Sequence, residues 1–218
     1  MAQVRHKQVK TWGQLQRSIA PMLPGEPERI PWTWFDSVTY VSGTTTTLDF
    51  FQTVQTDRVL GNMQAAGQIP APMYFDLHHI GVHFDFGPSG LAVAATIAAP
   101  LLGALNDIAG LIEGTLRLDI AQKTYHETKI GLCPAGYGPN GPIAIAGTYT
   151  ATDGDQIQQG TNGVPDLRNR NNFWGDITLP HNQNFLVRLN WTSALTFTPN
   201  TNTAIVVYLD GYLYRRVL

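Results

Sequence analysis

Regular alternation of apolar and polar residues is the feature that most constrains how this chain of 218 residues can fold. In TLRLDI, the apolar residues Leu116, Leu118 and Ile120 alternate with Thr, Arg and Asp, and NFLVRLNW repeats the pattern from Phe185 to Trp191. Successive side chains of a β-strand point to opposite faces, so each pattern predicts a strand with one buried and one solvated face. We count about eight such strand candidates, the number expected of a jelly roll. We therefore predict an all-β chain, a single jelly-roll β-sandwich of antiparallel strands with a short helical insertion.

Two glycine positions are predicted to interrupt strands. The candidate strand MYFDLHHIGVHFDF places Ile80 and Val82 on one face and carries Gly81 between them, which predicts a β-bulge. Near the end of the sequence, the pair Asp210 and Gly211 lies between two apolar runs. This pair predicts a hairpin or a bulge with positive φ.

Composition and charge bound the organisation of the chain. Only 14% of the residues are charged, whereas 21 Gly and 14 Pro mark many turns, and the formal net charge is −2. Such a charge gives no overall attraction to nucleic acid or anionic lipid, so any contact of that kind has to be local. The single cysteine and the absence of an apolar signal segment in the first residues predict synthesis in a cytoplasm. We predict an extended arm over residues 1–30 and one jelly-roll domain over residues 31–218.

The arm is basic. Its cationic side chains precede the first acidic residue, Glu26, and they are Arg5, Lys7, Lys10 and Arg17. Clustered cations favour contact with a polyanionic surface or a neighbouring subunit. An ordinary solvated tail is the alternative interpretation.

The segment GLAVAATIAAPLLGALNDIAGLIEG, within an insertion predicted near residues 89–113, carries almost no charge. A membrane-spanning helix needs about 20 consecutive apolar residues, whereas Pro100 breaks this run and Asn106 soon follows it. From Pro100 onward the apolar residues recur at helical spacing, which predicts a short amphipathic helix. The insertion must be covered, either by an open end of its own sandwich or by another copy of the chain. The candidate interface residues are Leu91, Val93, Ile97, Leu101, Leu102 and Leu105.

Metal binding is not predicted. On a regular strand His78 and His79 point to opposite faces, and His79 and His83 are about 13 Å apart, too far for one metal ion. Asp153 and Asp155 resemble the start of a calcium loop, but the third ligand and the closing Glu are missing. Calcium at a subunit contact stays open as an alternative, and no other cofactor is predicted.

No set of residues predicts catalysis. Cys133 follows His126 by seven positions, but nothing in the sequence brings the two together as a nucleophile and its base. We therefore predict that the protein is not an enzyme. Trp32, Trp34 and Phe35 offer a binding alternative, because aromatic rings on a strand can stack on sugars, although such rings more often belong to a core.

Four segments carry a resemblance to a known family. They are NMQAAGQIPAPMYFDLHHIGV, EGTLRLDIAQKTYHETKIGLCPAGYG, ITLPHNQNFLVRLNW and AIVVYLDGYLYRRVL. In this order, over residues 40–218, the sequence resembles the jelly-roll capsid proteins of small tailless icosahedral bacteriophages, including types with an internal membrane. The shared signatures are an Asn-Met after a polar turn, Lys-x-Tyr after a Leu-x-Leu strand, Leu-Pro leading into Phe-x-Val, and Leu-Asp-Gly before the terminal strand.

The resemblance implies a virion structural protein that self-assembles into an icosahedral shell. It implies contacts through the jelly-roll flanks, the arm and the insertion, with many copies of the chain and other virion proteins as partners. The basic arm would then face the interior, toward the genome or an internal membrane. The protein would be made and assembled in the host cytoplasm and would reside in the virion. A carbohydrate-binding or receptor-binding β-sandwich with Trp32 and Trp34 as its glycan platform is the alternative.

Overall fold

The structure, a computed structural model, describes residues 27–85, 109–135, 144–150, 154–160, 171–197 and 202–216. These residues form ten strands: β1 (Pro27–Tyr40), β2 (Thr47–Phe50), β3 (Tyr74–Asp85), β4 (Thr115–Ile120), β5 (Lys123–Lys129), β6 (Ala144–Thr150), β7 (Gly154–Gly160), β8 (Asn171–Pro180), β9 (Phe185–Asn190) and β10 (Thr203–Arg216). A 3-10 turn covers Ile130–Leu132, and residues 109–112 are helical.

Eight of the strands form a sandwich of two antiparallel sheets. The first sheet has the order β1-β10-β3-β8, the second has the order β2-β9-β4-β5, and β6 and β7 form a separate hairpin. Strand β1 of the first sheet packs beside β2 of the second. The edge strands β1 and β2 therefore lie on one side of the sandwich, and β8 and β5 lie on the other. Two four-stranded sheets connected in this way are a jelly roll, so the predicted all-β fold is confirmed.

The core lies between the sheets and follows the predicted alternation. In the second sheet β9 buries every second residue from Phe185, and β4 buries Leu116, Leu118 and Ile120. The first sheet contributes the buried side chains of Trp34, Phe75, Leu77, Ile80, Val82, Phe84, Ile205, Val207 and Leu209. Each large apolar side chain removed from water contributes about 1.5–3 kcal/mol, so these alternating positions supply most of the driving force for folding.

The strand interruptions match the prediction in part. Strand β10 runs through Asp210 and Gly211 without a hairpin, but the alternative, a bulge, is found there. The register with β3 shifts between Asp210 and Gly211, and the extra residue, His78, lies on β3. Gly211 is needed because a Cβ there would overlap the backbone carbonyl oxygen of Asp76, and its φ is not positive. Gly81, by contrast, is not at a bulge, and a Cβ there would lie 3.0 Å from the Cα of Ala135. Both glycines thus allow close approach of another backbone rather than a turn.

The described end of the insertion is helical and packs on the core. Leu111 is buried, and its carbonyl accepts a hydrogen bond of 3.0 Å from the indole nitrogen of Trp191. Ala109, which the helical spacing places on the apolar stripe, is exposed, whereas Leu111 takes the buried position. No helix in the described ranges is long and apolar enough to cross a membrane.

The first strand begins inside the segment predicted as an arm. Pro27 already pairs with Arg216, and the Glu28 carboxylate forms an ion pair with Arg215 across β1 and β10, with 2.8 Å between Oε2 and Nε. The boundary predicted at residue 30 therefore falls within a paired strand. Proline-rich sequence hid this strand, because proline is tolerated on a sheet edge and β1 is an edge strand.

Candidate assembly surfaces

The contact residues predicted from the insertion and the arm lie outside the described residues. They are Leu91, Val93, Ile97, Leu101, Leu102, Leu105, Arg5, Lys7, Lys10 and Arg17. The surfaces that the structure does describe are the two lateral edges of the sandwich and the outer faces of its two sheets.

The free edge of β1 is covered by residues 51–62, which we call the edge loop. Asn62 binds this edge with its side chain: its amide nitrogen donates to the Thr33 carbonyl at 2.7 Å, and its oxygen accepts from the Phe35 N–H at 2.8 Å. The Ser37 N–H donates to the Leu60 carbonyl at 2.8 Å. These bonds satisfy backbone groups that an edge strand would otherwise leave open to pairing with another chain.

A buried carboxylate anchors the start of the edge loop. Asp36 is 1% exposed and accepts hydrogen bonds from the Phe51 N–H at 2.6 Å and from the Gln55 amide at 3.0 Å. Burial raises the pKa of Asp36 above its ordinary value, although these hydrogen bonds work in the opposite direction. Phe51 adopts a φ of 66°, which a non-glycine residue holds only where its surroundings fix it. The edge loop is therefore held by specific bonds at both of its ends.

This anchored loop presents apolar side chains to solvent. Val59 is 80% exposed, Val54 is 48% exposed and Leu60 is 43% exposed. Single exposed apolar residues are normal on a protein surface, but several on one short, fixed segment are typical of a contact surface. No periodic pattern in the sequence predicts this surface, since the loop is neither helix nor strand.

The opposite lateral edge is formed by β5. Most of its residues are exposed, and no strand in the described ranges pairs with its outer side. The exposed apolar residues here are Tyr125, at 52%, and Leu132, at 65%, in the turn that follows the strand. Lys123 and Lys129 stand at the two ends of β5, a common way to discourage nonspecific edge pairing.

The outer face of the first sheet carries a polar cleft of about 480 Å³. Its lining includes Thr33, Asn62, His78, His79, Asp210 and Tyr212. The Thr33 hydroxyl donates to the Asp210 carboxylate, which is 8% exposed. The guanidinium of Arg29 lies 3.4 Å from the centre of the Tyr212 ring. Hydrogen bonds and a cation–π contact thus hold the walls of the cleft.

The bulge on β3 changes the predicted placement of the histidines. His78 and His79 were expected on opposite faces, yet both line the cleft, with ring centres 6.2 Å apart. The extra residue of a bulge breaks the alternation of side chains, which explains the difference. Among the described residues, no group of three His, Cys, Asp or Glu side chains could hold a metal ion. Of the two calcium candidates, Asp155 belongs to β7, and Asp153 lies outside the described residues.

The paired tryptophan platform is wrong. Trp34 is 1% exposed and packs edge-on against Phe75 with ring centres 6.4 Å apart, so it belongs to the core. Trp32 is 38% exposed, and its ring meets that of Trp34 at 5.5 Å. The two residues share the core side of β1 by strand alternation, and only the one nearer the end of the sandwich reaches solvent.

Cys133 is a core residue rather than part of a reactive site. It is 1% exposed, at the end of the 3-10 turn, and its carbonyl accepts a hydrogen bond of 2.9 Å from the Val82 N–H. Buried cysteines in apolar surroundings are inert toward solvent reagents. Burial lowers the pKa of His126, which lies on β5.

Comparisons with known proteins give no relative: the sequence matches no protein-family model, no curated protein and no solved structure.

Proposed function

We propose that this protein is a virion structural subunit, copies of which assemble into an icosahedral shell. The observation that carries the proposal is the pair of apolar lateral edges, the edge loop on one side and β5 with its following turn on the other. A jelly roll alone supports several functions, because capsid proteins, lectins and cupins share it. The edges favour the first, since a shell subunit has to contact neighbours on more than one side.

The anchoring of the edge loop supports the same function. Four hydrogen bonds join Asn62 and Leu60 of the loop to β1, and Asp36 fixes the start of the loop. A contact surface that is already ordered loses little conformational entropy when a partner binds. Rigid edges of this kind suit a subunit that has to repeat one contact many times with the same geometry.

The arm and the insertion complete the proposed subunit. The arm brings local positive charge to a chain whose net charge is −2, which suits contact with a genome or an anionic membrane inside the shell. The insertion supplies apolar residues between β3 and β4. Other virion proteins would bind the same shell.

Light scattering of the purified protein across salt and pH, with negative-stain images of the same fractions, tests the proposal. We expect closed shells, or rings and small oligomers that convert to shells. Deleting residues 2–20 should lower particle yield or nucleic-acid content while the unfolding transition of the subunit stays unchanged. A monomer under every condition would contradict the proposal and favour a binding module instead.

A further inference from the structure

Three neighbouring strands bring polar side chains together in the cleft on the outer face of the first sheet. Strand β10 pairs Asp210 with Thr33 of β1 on one side and with His79 of β3 on the other, so these residues form one row across the sheet. The Thr33 hydroxyl donates a hydrogen bond to the Asp210 carboxylate. The bulge on β3 adds His78 to the same lining. One carboxylate, one hydroxyl and two imidazoles thus meet at one place on the sheet.

Contacts within the protein hold the walls of this cleft. The Tyr212 ring lies under the Arg29 guanidinium and meets the His78 ring edge-on, with 5.2 Å between the ring centres. Asn62 is fixed by its two side-chain hydrogen bonds to the backbone of β1. A site whose side chains are already ordered loses little conformational entropy when a ligand binds. The volume of about 480 Å³ lies within the range of about 300–1,000 Å³ of small-molecule sites, and the lining is more polar than that of most of them.

The charge of the lining narrows the class of ligand. Among the described residues that line the cleft, Asp210 is the one carboxylate, and none is a lysine or an arginine. Asp210 is 8% exposed, so its charge is poorly screened and repels phosphate and other anions. The Arg29 guanidinium beside Tyr212 disfavours a cationic ligand in the same way. A neutral ligand with many hydrogen-bonding groups fits this lining best.

We propose that the cleft binds a neutral carbohydrate. The inference goes beyond the proposed function, because it gives the subunit a ligand site away from its lateral edges. A carboxylate has about four lone-pair sites, so Asp210 can accept hydrogen bonds from sugar hydroxyls in addition to the one from Thr33. The ring nitrogens of His78 and His79 can donate to or accept from further hydroxyls.

Two aromatic side chains border the same cleft. Tyr212 and Trp32 both belong to its lining, and Trp32 is 38% exposed. A sugar ring has apolar C–H groups as well as hydroxyls, and aromatic side chains offer the surface on which these groups pack. This arrangement differs from the paired platform predicted from the sequence, because Trp34 lies in the core.

Isothermal titration calorimetry of the purified protein tests the inference. The neutral probes are the methyl glycosides of glucose, galactose and mannose, and the charged probes are sodium glucuronate and methylammonium chloride. We expect at least one neutral glycoside to bind roughly ten-fold more tightly than either charged probe, because a charged ligand meets a like charge at the cleft. Tighter binding of glucuronate or methylammonium would overturn the assignment to a neutral carbohydrate, and no binding of any probe would overturn the site.

Two variants of the cleft locate the binding. Asp210→Asn keeps the size of the side chain and removes its charge, and it should weaken glycoside binding roughly ten-fold. His78→Gln leaves the bond between Thr33 and Asp210 in place and should weaken binding roughly three-fold. Urea midpoints of both proteins separate a loss of binding from a loss of fold, and His78→Gln decides the question if Asp210→Asn does not fold.

Asp49→Asn is the matched control. Asp49 lies on the outer face of the second sheet, where it pairs with Arg188, so the same substitution there should leave glycoside affinity unchanged. An equal loss in this control, or full affinity in both cleft variants, would place the sugar elsewhere and overturn the inference.

Negative-stain images of the same samples separate this inference from the proposed function. Glycoside binding that follows the cleft variants supports the inference whether or not shells form. Shells built by a protein that binds none of the glycosides would overturn the carbohydrate site and leave the proposed function standing.

Discussion

The outer faces of the two sheets differ in how far their polar side chains are exposed to solvent. On the second sheet, Asp49 and Arg188 form a two-pronged ion pair with distances of 2.6 and 2.7 Å, and both side chains are more than a third exposed. On the first sheet, Asp76 and Tyr214 are 6% and 1% exposed. The first sheet therefore has buried side chains on both of its faces, whereas the second buries only one.

This difference in exposure changes how much each polar group contributes to the free energy of unfolding. An exposed ion pair contributes about 0–1 kcal/mol, because water and salt screen it. A buried carboxylate without its partners would cost far more, so Asp76 accepts a hydrogen bond of 2.7 Å from the Thr178 hydroxyl. Burial raises the pKa of Tyr214 well above its usual range, and the charge of Asp76 adds to the effect. The outer face of the first sheet thus carries a second cluster of buried side chains, whereas the outer face of the second sheet is solvated.

The largest effect on stability is expected at Gly211, where β10 closely approaches β3 within the first sheet. A Gly211→Ala substitution would place Cβ on the Asp76 carbonyl, so β3 and β10 would have to separate. We expect the free energy of unfolding to fall by roughly 3 kcal/mol or more. Urea denaturation followed by tryptophan fluorescence measures the change.

Gly131→Ala is the matched control for this substitution. Gly131 is exposed in the turn after β5, and a Cβ there would meet only ordinary contacts at 3.4 Å or more. Its effect should stay within about 0.5 kcal/mol. Equal losses for the two variants would mean that the close approach of β3 to Gly211 is not what requires glycine.

A smaller effect is expected when one aspartate is removed from each outer face. Asp76→Ala removes a buried side chain together with its hydrogen bond from Thr178 and should lower the free energy of unfolding by about 1–3 kcal/mol. Asp49→Ala breaks the exposed pair with Arg188 and should cost no more than about 1 kcal/mol, less in high salt. Denaturation of both variants at low and high salt measures the contrast. A larger loss for Asp49→Ala would contradict the division between a structural and a solvated face.

The same contrast explains how far the sequence could predict the fold. In β9 the inward Val187 and the outward Arg188 differ in polarity, so alternation predicted the buried face correctly. In β10 the inward Leu213 and its neighbour Tyr214 are both buried, so alternation could not tell one face from the other. Where both faces are covered, a period of two no longer shows in the sequence.

The candidate surfaces were harder to predict, because they depend on contacts between distant segments. Asp36 looks like one polar residue in an aromatic stretch, and only the folded chain brings its carboxylate to the Phe51 N–H. The bulge at His78 arises from pairing with β10, more than a hundred residues later. Local patterns therefore predicted the strands, whereas the edges follow from how the strands pair.

The smallest and most specific effect concerns two aspartates whose pKa values are shifted in opposite directions by folding. Burial raises the pKa of Asp36 on the first sheet. Desolvation also acts to raise the pKa of Asp119 on the second sheet, but hydrogen bonds from Arg117 and Thr124 bring it below the ordinary value of 3.8. As pH rises, the folded state therefore keeps the Asp36 proton beyond pH 3.8, where the unfolded state loses it, and it loses the Asp119 proton below pH 3.8, where the unfolded state still holds it.

These shifts fix the sign of the pH dependence. The contribution of Asp36 to the free energy of unfolding falls as pH rises from 3.8 through its raised pKa, whereas that of Asp119 is present above 3.8 and is lost as pH falls through its lowered pKa. Relative to the unsubstituted protein, Asp36→Asn should gain stability with rising pH and Asp119→Asn should lose it. Urea midpoints measured from about pH 3 to 7 give both difference curves. Curves that slope in the same direction would show that the two sheets do not hold their carboxylates in the opposed environments described above.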